Sequence, residues 1–171
     1  MIGRVVLVPG VLALLPEYAG LEDPVAELRA ACLAAVSWLT GDVEIVADTQ
    51  GRRVAEHLLA ETGDRRGAGA TTSYLVVGNG SACRTEKAPG HLDERAHGFD
   101  AALGRALRTA DPAALRAIDQ ALARELSAST YAITRLGEIL TPQHEATVDY
   151  DDDPFGVQYW VLRWEPAGQT A

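Results

Sequence analysis

Three short apolar runs constrain this chain more than any other feature: Ile2–Val8, Asp42–Ala47 and Ser73–Val77, each followed by chain of a different periodicity. The first is apolar throughout apart from Gly3 and Arg4, as a strand buried on both faces must be, and Pro9-Gly10 stops it. Asp23-Pro24 then reads as a helix start, with Asp23 as N-cap and Pro24 in the first turn. Val25, Leu28, Cys32, Val36 and Leu39 recur at helical spacing, and Gly41 ends the segment. A second, weaker helix is expected over Gly51–Thr62 with Val54, Leu58 and Leu59 inward. Gly63–Ala70 (GDRRGAGA) reads as a flexible loop. Strand, helix, strand, helix, strand implies an α/β fold with a mostly parallel sheet and helices on both faces.

Downstream, Gly78–His91 is a long polar loop. Helices are expected from Asp93 through Phe99, Leu103 and Leu107, and from Asp111-Pro112 through Leu115, Ile118, Leu122 and Leu126. A third is expected over Ser129–Leu140. The tail then turns strand-like over Thr147–Tyr150 and Phe155–Trp164, with Asp151-Asp152-Asp153-Pro154 as the turn of a C-terminal β-hairpin extending one sheet edge. Residues 1–171 read as a single domain.

Charge excludes several partners. With 15 basic and 24 acidic residues, 15 − 24 = −9, the chain lacks the basic stripe that binds nucleic acid or an anionic membrane. No apolar run approaches the roughly 20 residues needed to span a bilayer. Arg4 followed by only Val5–Val8 does not make a secretory leader, so the expected compartment is cytoplasmic. The two cysteines, Cys32 and Cys83, fit that expectation as free thiols. Phe155, Tyr159, Trp160 and Trp164 crowd into ten residues of a chain only 6% aromatic. Alternation sends Phe155, Val157 and Tyr159 to one face and Gln158, Trp160, Leu162 and Trp164 to the other. Helices of the same chain must cover both faces, or one face meets a second copy in a homodimer.

Open α/β sheets bind ligands at the carboxyl ends of their strands. Those loops start here at Pro9, Asp48 and Gly78. The candidate cleft is Pro9, Gly10, Asp48, Thr49, Asn79, Ser81, Lys87 and His91, with Lys87 and His91 making it locally positive for an anionic or carbonyl-bearing small molecule. Gly78-x-Gly80 lacks the third glycine of a dinucleotide loop, since Cys83 stands there. Ser81 lacks the flanking pattern of a nucleophile elbow. Of the four histidines (His57, His91, His97, His144), no two stand at i, i+4. His91-x-Asp93 and Glu94-x-x-His97 are half-sites at most, and Asp149, Asp151, Asp152 and Asp153 lack the ligand spacing of a calcium loop.

The run Gly78–Ala96 (GNGSACRTEKAPGHLDERA), with Phe99–Ala102, Asp111–Leu115, Val8-Pro9-Gly10, Leu14–Glu17, Leu28–Cys32 and the Tyr150–Tyr159 hairpin, resembles small bacterial proteins with a domain like the B subunit of class III extradiol ring-cleavage dioxygenases. The resemblance implies that α/β fold and, in the active enzymes, Fe(II) held by two His and one Glu, with a further His as acid/base. Position by position the imidazoles are missing. Gly10 stands in the first loop, Ala47-Asp48-Thr49-Gln50 in the second, and Ser81-Ala82 where the family has Ser-His; Glu138 is the candidate carboxylate. No metal and no cofactor is therefore expected, and no catalytic residue is assigned. The first reading is a dioxygenase-like domain without its iron site that binds a small molecule or a protein partner. The second is an enzyme of other or residual chemistry in the same cleft, using Asp48, Ser81, Glu86, Lys87 and His91, with Fe(II) only in that case. The third is a structural or assembly subunit.

Overall fold

In the computed structural model, which describes residues 1–63 and 70–168, the three apolar runs are β1 (Ile2–Val8), β2 (Asp42–Val46) and β3 (Thr72–Val77). They are parallel, with β3 between the other two. The tail forms β4 (His144–Asp152) and β5 (Tyr159–Pro166), an antiparallel hairpin. β5 pairs antiparallel with β1, so the order is β2-β3-β1-β5-β4 and β4 is the edge.

Strand alternation divides the apolar side chains between two cores. Val6 and Val8 of β1, Leu75 and Val77 of β3, and Tyr159 and Val161 of β5 pack under α1 (Ala26–Ser37) and α2 (Thr49–Thr62). Val5 and Leu7, Val76, and Trp160, Leu162 and Trp164 face the other way. They meet α3 (Arg95–Arg108), α4 (Pro112–Arg116) and α6 (Tyr131–Ile139). Two covered faces explain why β1 is apolar at four consecutive positions, Val5–Val8. The five residues expected on the inner side of α1, from Val25 to Leu39, are all buried. Cys32 and Cys83 are free and buried.

Several boundaries move for identifiable reasons. Asp23 does accept the Val25 amide, at 3.2 Å, but Pro24-Val25 form a turn, and α-helical bonding starts with Arg29 N donating to Val25 O. Asp48 caps α2 by accepting from Gly51 N at 2.7 Å, which starts the helix at Thr49 rather than Gly51. The helix expected from Pro112 through Leu126 is two helices. Asp119 accepts from Leu122 N and caps α5 (Gln120–Glu125), breaking the run after Arg116. Of the loop expected over Gly63–Ala70, residues 64–69 lie outside the described residues.

The hairpin departs from expectation twice. Asp151 and Asp152 belong to the ladder, opposite Trp160 and Tyr159. Residues 156–158 do not pair with β4 because their backbone bonds elsewhere: Gly80 N donates to Gln158 O, Gln158 N to Ser81 O, and Arg84 N to Gly156 O. The β4 register also shifts between Val148 and Tyr150. Ala146 lies with the α3 side, whereas Tyr150 reaches the α1 side. A bulge at Asp149 thus turns the strand over, as one extra residue must.

Coverage of the hairpin aromatics is intramolecular. Trp160 is 2% exposed and Trp164 fully buried, its indole N–H donating to Leu107 O at 3.0 Å. The aromatic crowding expected to motivate a homodimer is therefore satisfied inside one chain; only Phe155, at the hairpin tip, stays exposed. Among the described residues no helix is long and apolar enough to cross a membrane. Trp164→Ala is expected to cost about 3–5 kcal/mol, the range for deleting a buried aromatic, in urea unfolding; a loss under about 1 kcal/mol would mean the indole is not the anchor of that core.

His144 opens β4, buried, with Nδ1 accepting from Thr141 N at 3.0 Å and Nε2 without a partner. Desolvation pushes its pKa below 6.5, outweighing the Thr141 carbonyl oxygen, 3.3 Å from Nδ1, which acts the other way. As pH falls through 6.5 the unfolded chain takes up the proton first, so stability present above 6.5 is lost down to the depressed folded value. His144→Phe should flatten the fall in unfolding free energy between about pH 7.5 and about pH 5.5; an unchanged slope would assign it to other groups.

Candidate functional site at the carboxyl edge of the sheet

After β1 the chain turns to α1, and after β3 it turns to α3 on the opposite face. Neighbouring strands whose connections part in this way leave a crevice between them, the usual ligand site of an open α/β sheet. Here the protein's own backbone fills that crevice. Gly78 N donates to Val8 O at 3.0 Å, and Asn79 exchanges two backbone hydrogen bonds with Ser129, at the approach to α6. A Cβ on Gly78 would lie 2.7 Å from Ser129 O and 2.8 Å from an Ile133 carbon. One on Gly51, in the first turn of α2, would lie 2.9 Å from Val77. Gln50 Nε2 closes the remaining side by donating to Gly10 O at 2.8 Å.

The long polar loop after β3 is interior only in its first part: Gly78 and Gly80–Cys83 are buried, whereas Thr85–Lys87 and Pro89–His91 are exposed. Ser81 is fully buried and Cys83 is 1% exposed. Its organiser is Asp100 of α3, itself 3% exposed. Oδ1 accepts from Ser81 N at 2.8 Å, while Oδ2 accepts from Ser81 Oγ at 2.6 Å and from Arg84 Nη1 at 3.0 Å. Arg84 Nε reaches on to Asp153 of the hairpin. Burial works against the Arg84 charge, but the Asp153 and Asp100 carboxylates together hold the guanidinium above its ordinary pKa. Burial likewise raises the Cys83 thiol, helped by Asp93 and Asp100, so it is a poor nucleophile at neutral pH.

The residues expected to share one cleft are thus dispersed. Pro9 is buried, Gly10 is packed against Val77, Asn79 is half-buried, and Ser81 is spent on Asp100. Lys87 is exposed in a separate hollow beside Thr85, Glu86 and Phe155. His91 is exposed in a left-handed turn with φ of 59°. Asp48 and Thr49 alone remain together, in a hollow of about 430 Å³ completed by Ala47, Arg52 and Tyr131. Arg52 makes no ion pair among the described residues, and the one hydrogen bond its side chain makes there, to Ile45 O, is long at 3.4 Å. Tyr131 is 60% exposed.

The donors do not fit Fe(II). Gly10 has no side chain to offer, and Ala82 is buried among backbone partners. Asp48 is engaged as a helix cap. Glu138 pairs with Arg135 on an exposed helix face. Among the described residues no three His, Cys, Asp or Glu side chains converge. Three of the four hairpin aspartates are neutralised, Asp149 by Arg163, Asp151 by Arg108 and Asp153 by Arg84, while Asp152 makes no ion pair among the described residues. The chain matches no protein-family model and no curated protein.

Asp100 had a visible signal. It stands at i−3 and i−7 from Leu103 and Leu107, a carboxylate on the apolar face of its own helix. Arg52 and Tyr131 had none, since only the fold brings them together. Asp100→Asn should cost about 3–5 kcal/mol by leaving Arg84 half-partnered. Ser81→Ala should cost less, about 1–3 kcal/mol, because the Ser81 amide still serves Asp100. Equal costs in denaturant titration would displace Asp100 from the centre of this network.

Proposed function

We propose that this chain is an extradiol-dioxygenase-subunit-B-like domain that works without iron, as a binding domain for a small hydroxylated carboxylic acid seated on Asp48, Thr49, Arg52 and Tyr131. The resemblance over Gly78–Ala96 and the mixed sheet with its parallel core support the lineage. The missing imidazoles at Gly10 and Ala82 argue against iron chemistry. The single observation that carries the ligand reading is Arg52, a guanidinium with no ion pair among the described residues in a chain of net charge −9, at the rim of a hollow at the carboxyl end of β2.

The chemistry follows from what each group has left to give. Arg52 offers several free N–H donors to a carboxylate, in the bidentate geometry that guanidinium favours. The Asp48 carboxylate, which already accepts the Gly51 amide, has lone pairs left for a ligand hydroxyl. Tyr131 supplies an aromatic face. This replaces the positive charge expected from Lys87 and His91, which lie elsewhere. The enzyme reading loses Ser81 as an accessible group, since its hydroxyl is fully buried on Asp100.

Titration of 4-hydroxybenzoate into the labelled protein should shift the amides of residues 47–52 and 131. Arg52→Ala should weaken binding by about tenfold or more, as a hydrogen bond to a charged group is worth about 1.5–3 kcal/mol. Shifts confined to other regions, or an unaffected Arg52→Ala, would reject the site. Elemental analysis after anaerobic iron loading is expected to find no stoichiometric iron. Stoichiometric iron that disappears in His91→Ala would restore the enzyme.

A further inference from the structure

A second hollow lies on the α3 side of the sheet and shares no residue with the first. Residues 117–119 join α4 to α5 beside α3. The space there, about 380 Å³, is lined by Phe99, Ala102, Ala106, Ala117, Ile118 and Asp119, among others. It stays open because alanines stand on both walls, where longer side chains would close it. Its size falls in the range of small-ligand sites, and its lining is apolar save for one group.

That group is Asp119. Its Oδ1 accepts the Leu122 amide at 3.0 Å as the cap of α5. Its Oδ2 accepts no hydrogen bond among the described residues, and no Arg or Lys there pairs with it. By contrast, the acids Asp149, Asp151 and Asp153 each have an arginine. An un-neutralised carboxylate at the rim of an otherwise apolar hollow suits a molecule with an apolar body and one cationic head. A carboxylate-bearing ligand would meet repulsion at the same place.

We propose that this hollow binds a small amphipathic amine, with the hydrocarbon against Phe99, Ala102 and Ile118 and the ammonium on Asp119. The site is independent of the one on Arg52.

The probe is 2-phenylethylamine, protonated at neutral pH, titrated into the full chain and followed by the methyl signals of Ala102 and Ile118. Phenylacetate and 2-phenylethanol are the controls. Saturable shifts are expected with the amine, weaker ones with the alcohol and none with the anion. Asp119→Asn keeps the helix cap, because asparagine caps as well as aspartate, but removes the charge. It should weaken the amine about fivefold, the upper range for a partly solvated ion pair, and leave the alcohol unchanged. Ala102→Leu, on the exposed side of α3, should abolish binding of both. Equal binding of amine and anion, an Asp119→Asn protein that holds the amine as tightly as the parent, or no shift up to the solubility limit would each overturn the proposal. Fold integrity of the variants is checked by their thermal midpoints.

Discussion

The Asp100 carboxylate is the junction on which the arrangement of loops depends. It joins three parts of the chain that no sheet ladder connects: helix α3, the loop after β3 and the tip of the β4–β5 hairpin. Ser81 gives it two hydrogen bonds and Arg84 a third, and Arg84 passes the connection to Asp153. A buried ion pair of this kind adds little net stability over an apolar substitute, because desolvation offsets the attraction. What it supplies is position. An apolar side chain at residue 100 would bury as well, but it would not say where Ser81 or Asp153 must lie. Space around it is equally specified: a Cβ on Gly80 would stand 2.5 Å from Asp100 Oδ1, so glycine is the residue that lets the loop approach.

That positioning bears on function by subtraction. Once Ser81 is tied to Asp100 and Asn79 to Ser129, the start of the loop after β3 is closed off, and the approach to α6 fills the gap between β1 and β3. The ligand reading consequently moves one strand outward, to the end of β2. Its polar groups there are Asp48, whose carboxylate is half-used, and Arg52, whose guanidinium makes no ion pair among the described residues. Iron would need three strong donors converging on one point, and the same closure that hides Ser81 leaves none there.

The fold was largely legible from the residues because periodicity reports burial directly. Runs apolar on both alternations became β1 and β3, and Val25, Leu28, Cys32, Val36 and Leu39 turned inward as spaced. What was not legible depends on competition between partners. Asp119 and Asp111 both look like cap residues, yet a continuous apolar spacing from Leu115 to Leu126 hid the break that Asp119 creates. The hairpin turn looked like Asp151–Pro154, but residues 156–158 take their backbone partners from the β3 loop, a contact no local pattern encodes. The site was less legible for the same reason. Strand ends identify which loops meet, as they did for Asp48 and Thr49, but not which of their side chains are already committed. Ser81 was a plausible cleft residue until Asp100, 19 positions on, took its hydroxyl.

The sheet edges show how this chain uses its negative charge. Both edge strands carry exposed acids: Asp42 and Glu44 on β2, Glu145 and Asp149 on β4. Two copies meeting edge to edge would bring like charges together, and the bulge at Asp149 further spoils a flat pairing surface. On β4 one of these charges, Asp149, is cancelled from the neighbouring strand. Arg163 holds Asp149 from β5 while its guanidinium sits over the Trp38 ring, 5.1 Å from the centroid, and Arg4 stacks there at 4.5 Å. Trp38 thereby takes cationic neighbours from two adjacent strands, β1 and β5, and caps the end of α1 against them. The charges that fix the hairpin in place are thus partly screened inside the molecule. Those on β2 and at residue 145 carry no ion pair among the described residues and remain exposed.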